Sequence, residues 1–375
     1  MQNSSSDATA LPARHGARVR IDLPALAANY RTLAAAAGGA ETAAAVKGDA
    51  YGIGIEPATR TLARAGCRTF FVALPKEGAI VRATAPEATV YVLSGLAPGA
   101  APSLAAAGLR PVLGSMAEIE EWAAWKKAGG EGRAAIHVDT GMNRLGLTLA
   151  EAAVLAADPA AVDDLAPALV MSHLACADTP DHPLNALQAE RFAALAARFP
   201  GRPASLANSA GIHLGAPFRF DLVRPGIALY GGRFGPGPAL APVATVTAPI
   251  VQVREVPGGE TIGYGAAETL RRPTRAAILS IGYADGYPRA AGGADGRPGA
   301  FAFVEGHHVP LIGRVSMDLV AIDVTDVPSA RRGVEVELFG PHVAVDAVAE
   351  AAGTIGYELL TRLGARLERV YAGGG

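Results

Sequence analysis

Between about residue 40 and residue 230 two textures alternate along the chain. Short apolar runs, many of them β-branched, give way to Ala/Leu/Glu/Arg stretches with a helical period. The runs are TAAAVK (42–47), RTFFVAL (68–74), ATVYVL (88–93), LRPVLG (109–114), RAAIHVD (133–139), ALVMSHL (168–174), RPASLAN (202–208) and FDLVRPG (220–226). Helical patterns lie between most of them, such as SMAEIEEWAAWKKAG (115–129) and NALQAERFAALAARFP (185–200). Ser115 with Glu118 three residues later reads as a capped helix start. Strands alternating with helices predict a parallel sheet. Eight such units in about 190 residues predict a closed (β/α)8 TIM-type barrel, with a doubly wound open sheet as the rival.

After about residue 240 the pattern changes. APVATVTAPIVQVREVP, TRAAILSIGYADGYPR, GAFAFVEGHHVPLIGRV, DLVAIDVTDV and VEVELFG are strand-like, with Gly/Pro turns between them. They predict a mainly β C-terminal domain, a barrel or a sandwich. Only 346–363 reads as helical there. The expected organisation is therefore a polar, disordered tail over 1–16, an α/β barrel over 17–240 and a mainly β domain over 241–375.

Composition narrows the function classes. Half of the 375 residues are hydrophobic, 18% are charged and the net charge is −2. This ordinary globular balance carries no basic surplus for a nucleic-acid partner. Cys67 and Cys176 make no disulfide framework, which suits a reducing, cytoplasmic setting. No apolar run reaches the roughly 20 residues of a membrane span, and the N-terminus lacks the apolar core of a secretory signal.

Barrel enzymes assemble their sites at the C-terminal ends of the strands. There the chain carries Lys47 and Tyr51 after the first strand, Asp139 and Arg144 after the fifth and His173 after the sixth. Asn208 and Ser209 follow the seventh, and Arg224 and Gly226 the eighth. A lysine ending an apolar strand is desolvated, which lowers its pKa and suits a nucleophilic or Schiff-base amine. The alternative is a lysine that snorkels to solvent. Turns after the seventh and eighth strands often bind phosphate through backbone amides, although either turn alone is ordinary chain reversal. The histidines are scattered without zinc-like spacing, so no metal is expected. A reactive lysine beside a phosphate site points to pyridoxal phosphate.

The motifs AAAVKGDAYGIG, VDTGMNRLG, SHLACAD, NSAG, DLVRPGIALYG, IGYGAA, IGYADGYPR and GRVSMD, in order from about 19 to 360, closely resemble the alanine racemase family. The resemblance implies a homodimer of barrel-plus-β-domain chains that interconverts L- and D-alanine on pyridoxal phosphate and supplies D-alanine for peptidoglycan. It implies that Lys47 holds the cofactor as a Schiff base, and that Tyr51, Asn208, Ser209, Gly226, Ile227 and Tyr357 bind it. It implies that Arg224 meets the ring nitrogen, and that His173 links Arg224 to Tyr264 of the partner subunit. Arg144 would hold the phenolic oxygen and the substrate carboxylate, together with Met317 from the partner subunit. Tyr283, Arg289 and Asp178 would line the entrance. Racemisation needs proton carriers on both faces of the α-carbon. In family terms Lys47 takes the proton of the D-isomer and Tyr264 that of the L-isomer.

One position departs from the family pattern. Many members carry a carbamylated lysine just before VDTG, and this chain has His137. Either another anion or a neighbouring side chain then orients Arg144, or His137 simply packs beneath the strand. A serine or broader-specificity racemase and a non-catalytic pyridoxal-phosphate-binding protein are the competing functions. Tyr264 and the segment after 240 argue against the latter.

Overall fold

The computed structural model describes residues 16–373, so most of the tail expected over 1–16 lies outside the described residues. The chain forms two compact units. Among the described residues, one comprises Ile21–Ala244 with Tyr371–Gly373, and the other comprises Thr245–Val370 with Gly16–Arg20.

In the first unit, strands Ala44–Ala45, Thr69–Val72, Thr89–Val92, Arg110–Leu113, Ala134–His137, Pro167–Met171 and Ala204–Ser205 pair in sequence order, all parallel. An eighth strand, Leu222–Val223, pairs in parallel with Glu41–Thr42, the leading part of the first. The Arg224 N–H bonds the carbonyl of Ala207 at 2.9 Å, and the Ala43 N–H bonds that of Val223 at 2.9 Å. These bonds join the eighth strand to both neighbours and close the barrel, as the eight-fold alternation predicts.

Ala43, Phe71, Tyr91, Val112, Ala135, Leu169, Met171 and Leu222 form one buried cluster. They come from seven of the eight strands and fill the interior. The intervening Phe70, Val72, Val90, Val92, Leu113 and Ile136 are buried too. Residues of both faces are buried, which is why these strands read as continuous apolar runs rather than alternating ones. Helix Met116–Lys127 starts as expected, with the Ser115 hydroxyl accepting the Glu118 N–H. The Glu118 carboxylate reaches further than a capping box requires and takes the N–H of Gly114 at 2.7 Å and of Leu96 at 2.7 Å.

The second unit is antiparallel. Strand Ala244–Val256 changes partner part-way along, pairing first with Glu335–Phe339 and then with Thr274–Leu279. Thr274–Leu279 continues through Val320–Asp323, His307–Ile312 and Phe301–Val304 back to Glu335–Phe339. The ring therefore closes, which decides for a barrel over a sandwich. The helical stretch expected over 346–363 splits into Val345–Ala351 and Gly356–Thr361, with Gly353 at φ +70° turning the chain between them.

Candidate active site

All the barrel strands run the same way, so their C-terminal ends share one rim. Lys47 follows the first strand and opens an uncommon turn. Gly48, Asp49, Ala50 and Tyr51 have φ of 65°, 55°, 53° and 54°, a run of left-handed residues. For a residue with a Cβ this conformation costs about 1–2 kcal/mol, so Asp49, Ala50 and Tyr51 together store several kcal/mol. Strain of this kind persists only where the surroundings over-determine it, and it concentrates at functional sites. The turn throws Tyr51 inward, where its ring stacks on buried Tyr230 with centroids 4.6 Å apart. The Tyr230 hydroxyl in turn donates to the carbonyl of Ala45 at 2.9 Å, just before the lysine.

Lys47 is an exposed residue at the strand end, yet its pKa lies below the ordinary lysine value. Desolvation is the main cause, the Arg144 and Arg224 charges add to it, and Glu77 opposes it. A larger neutral fraction near neutral pH follows, which a nucleophilic or basic amine requires.

Arg224, at the end of the eighth strand, is 6% exposed. Its guanidinium donates to the Ser205 hydroxyl, to the Ser172 carbonyl at 2.6 Å and to the Leu206 carbonyl at 3.5 Å, and lies 3.3 Å from His173 Nδ1. Burial lowers its pKa to about 9. Each of these partners is neutral, so the cation meets lone pairs and no carboxylate. Arginine can only donate, so His173 Nδ1 must accept, and the imidazole proton resides on Nε2. Desolvation first, then the Arg224, Arg144 and Lys47 charges, hold the His173 pKa well below its ordinary value and keep the ring neutral.

A third group of atoms forms a cradle after the seventh and eighth strands. Ser209 is 4% exposed, and its hydroxyl accepts the N–H of Gly226 at 2.9 Å and of Ala228 at 3.4 Å. Ile227 opens the short 3-10 turn Ile227–Tyr230. A Cβ at Gly226 would lie 2.4 Å from the Tyr51 hydroxyl, so only glycine lets that hydroxyl approach the backbone. Tyr51, Ser209 and the backbone of Gly226 and Ile227 thus gather after the seventh and eighth strands. Asn208 stands beside them, with Oδ1 capping the turn at Gly211 at 3.0 Å.

The fifth-strand loop carries Arg144, which is exposed. Asp139 folds the loop by accepting the N–H groups of Gly141 at 2.7 Å and Met142 at 2.8 Å. Two buried residues outside the sequence-level expectations hold this rim. Gln188, fully buried, donates to Thr140 Oγ1 at 3.2 Å and the His173 carbonyl at 2.9 Å, tying the Arg144 loop to the His173 loop. Glu77 receives backbone amides from the Lys47 turn. Among the described residues, no cluster of His, Cys, Asp and Glu could hold a metal ion.

Comparison with known proteins decides the family. Residues 21–234 match the alanine racemase N-terminal domain and residues 243–371 match the C-terminal domain. An alanine racemase of Methylobacterium sp. (strain 4-46) is 55% identical over 363 residues, covering 95% of this chain and 98% of the relative. A biosynthetic alanine racemase of Agrobacterium fabrum is 50% identical, covering 94% of this chain and 93% of the relative. The crystal structure of the Bartonella henselae alanine racemase, which carries covalently bound pyridoxal phosphate, superposes with a TM-score of 0.90 at 39% identity, covering 96% of this chain and 100% of that one. The chain belongs to the alanine racemase family.

His137 ends the fifth barrel strand of this alanine racemase family member. Desolvation and the Arg224 and Arg144 charges, partly offset by Asp139, lower its pKa to about 4. The imidazole is therefore neutral near neutrality and adds no charge to the field around Arg144.

The remaining expected residues of this alanine racemase family member divide between the two units. Asp178, on the sixth-strand loop of the barrel, is exposed, and its backbone lies against Gly235. The other expected residues belong to the β unit. Tyr264 is 71% exposed, Met317 and Tyr283 are exposed, and Arg289 opens a short turn. Two backbone bonds bring the Tyr283 and Met317 loops together, Tyr283 N–H to the Ser316 carbonyl at 3.1 Å and Ala284 N–H to the Met317 carbonyl at 3.0 Å. Buried Asp285 braces this pair by accepting the Gly282 N–H at 2.8 Å and facing Arg366 at 3.1 Å. Tyr357 lies on the helix Gly356–Thr361 and is exposed.

Proposed function

We infer that this chain interconverts L- and D-alanine with pyridoxal phosphate bound at Lys47. The observation that carries this reading is the convergence on one rim of a lysine with a lowered pKa, a buried arginine facing neutral partners and a glycine-backed anion cradle. These groups match the reactive, ring-nitrogen and phosphate ends of the cofactor. When bound, pyridoxal phosphate supplies the electron sink that makes the α-proton of an attached amino acid acidic.

The rest falls to the protein. Lys47 anchors the cofactor, and its freed amine removes or returns the proton on one face of the α-carbon. Tyr264 of a second copy serves the opposite face, so the working unit is a homodimer, and Met317 of that copy offers its N–H to the substrate carboxylate. Arg144 holds the same carboxylate. His173, neutral with its proton on Nε2, donates toward the Tyr264 phenol and stabilises its anionic form. Arg224 does not readily give up its proton, so it would leave the ring nitrogen unprotonated and the sink weak, which would favour reprotonation at the α-carbon over side reactions. Tyr51, Ser209, Gly226, Ile227, Asn208 and Tyr357 hold the cofactor, and Tyr283, Arg289 and Asp178 line the entrance. No helix among the described residues is long and apolar enough to cross a membrane. A cytoplasmic enzyme providing D-alanine for peptidoglycan is the role that fits.

The test is direct. Purified protein loaded with pyridoxal phosphate is yellow, borohydride fixes the cofactor to the peptide containing Lys47, and either alanine enantiomer yields a racemic mixture. Attachment at another lysine, or optical purity retained after prolonged incubation, contradicts the reading.

A further inference from the structure

Glu77 is a buried acid, 9% exposed, on the helix Pro75–Thr84 after the second barrel strand. Its carboxylate receives backbone amides from two different strand ends. Oε2 accepts the N–H groups of Ala73 at 2.8 Å and Leu74 at 3.1 Å, which caps its own helix. Oε1 accepts the N–H groups of Gly48 at 2.7 Å and Asp49 at 3.4 Å, nearly thirty residues away in the chain. This second pair has no part in capping.

The left-handed turn cannot satisfy these two donors itself. Within it the Ala50 N–H bonds the Val46 carbonyl, the Gly52 N–H bonds that of Gly48 and the Gly54 N–H bonds that of Asp49. The amides of Gly48 and Asp49 point the other way, to Glu77. The Gly48 N–H belongs to the peptide plane that begins at the Lys47 carbonyl. Fixing that plane fixes the backbone on which the lysine side chain stands. A carboxylate accepting amide hydrogens makes charge-assisted bonds, roughly twice as strong as neutral ones. They oppose the positive-φ strain at Asp49, Ala50 and Tyr51.

We propose that Glu77 is a positioning residue, whose carboxylate holds the strained turn after the first strand and so aims the Lys47 amine into the rim. Its consequence for catalysis rests on the reading of Lys47 as cofactor anchor and proton carrier. The hold on the turn does not.

Backbone hydrogen exchange on the full-length chain, with and without pyridoxal phosphate, separates positioning from simple helix capping. In Glu77→Gln the amide keeps the shape but offers one acceptor oxygen to four donors. Peptides spanning 47–54 then exchange about tenfold faster than in the wild type, as loss of a hydrogen bond to a charged group requires. In the loaded protein kcat falls about tenfold with KM for alanine near wild type, the pattern of a misplaced reacting group. Glu77→Asp, shorter but still anionic, shows a smaller change in both and serves as the test if the glutamine variant does not fold. Faster exchange confined to 73–84, with 47–54 at the wild-type rate, overturns the proposal. Fast exchange in 47–54 in a protein that never racemises alanine would sink the functional reading and leave the structural role of Glu77 standing.

Discussion

Arg224 Nη2 stands 3.3 Å from His173 Nδ1 in a layer where every partner of the guanidinium is neutral. This pair sets the tautomer of the histidine and, on the proposed reading, the charge that faces the cofactor ring. Replacing the cation by an acid reverses the second. Arg224→Glu offers a protonatable partner to the ring nitrogen, so the electron sink strengthens, racemisation slows and the ratio of transamination to racemisation rises. Pyruvate formed from alanine, measured against loss of optical rotation, checks it. An unchanged ratio would show that the arginine acts only in packing.

Gly226 and Tyr51 make a steric prediction. A Cβ at Gly226 meets the Tyr51 hydroxyl at 2.4 Å and its ring carbon at 3.2 Å. Overpacking of this kind costs about 1–3 kcal/mol, so Gly226→Ala weakens cofactor binding about tenfold to a hundredfold. Removing the hydroxyl opens the space, and Gly226→Ala with Tyr51→Phe recovers affinity relative to Gly226→Ala alone. Equilibrium dialysis of pyridoxal phosphate measures both. If the second change only worsens binding, the contact is not what forbids a side chain.

His137 predicts a pH dependence of stability. Its pKa falls from 6.5 in the unfolded chain to about 4 in the fold, so between these values the unfolded state binds the extra proton. Stability therefore rises with pH across this window, and falls as pH drops from about 6.5 toward about 4. The opposing groups are Arg224 and Arg144, which disfavour the imidazolium, and Asp139, which favours it. His137→Gln removes this share of the acid loss and flattens the melting temperature against pH. A curve parallel to that of the wild type would contradict the neutral imidazole.

Much of the barrel, and the side chains at its rim, are legible in the sequence. The eight apolar runs became the eight barrel strands because residues of both strand faces are buried, and Lys47, His173, Ser209 and Arg224 fell at one rim because the strands are parallel. Glu77 escaped because its partners lie nearly thirty residues away and meet it only through the pairing of the first two strands. The left-handed turn also escaped. Asp49, Ala50 and Tyr51 have no intrinsic preference for positive φ, and tertiary bonds impose it. Gln188 did leave a signal. In the helix Pro183–Ala196 the buried positions are Asn185, Gln188, Ala189, Phe192 and Leu195, so two amides lie on the inward stripe. A polar residue on such a stripe must find partners inside, and Gln188 finds them at the Arg144 and His173 loops.

The shared-site proposal is tested by mixing inactive variants. Lys47→Ala loses one proton carrier and Tyr264→Phe the other, each lowering activity about a thousandfold. If the two residues of a site come from different copies, a mixed dimer has one intact site. Equal amounts, unfolded and refolded together, then recover about one quarter of wild-type activity, because half the dimers are mixed and each has one working site of two. No recovery would place both residues on the same copy.

The central claim is that this rim moves the α-proton of alanine on both faces. The measurement that meets it most directly is deuterium incorporation at Cα from heavy water, followed for L-alanine, D-alanine, serine and larger amino acids. The account predicts exchange into both alanine enantiomers, with inversion accompanying exchange, and faster turnover of alanine than of any larger amino acid. Exchange without inversion, or serine handled faster than alanine, would contradict it.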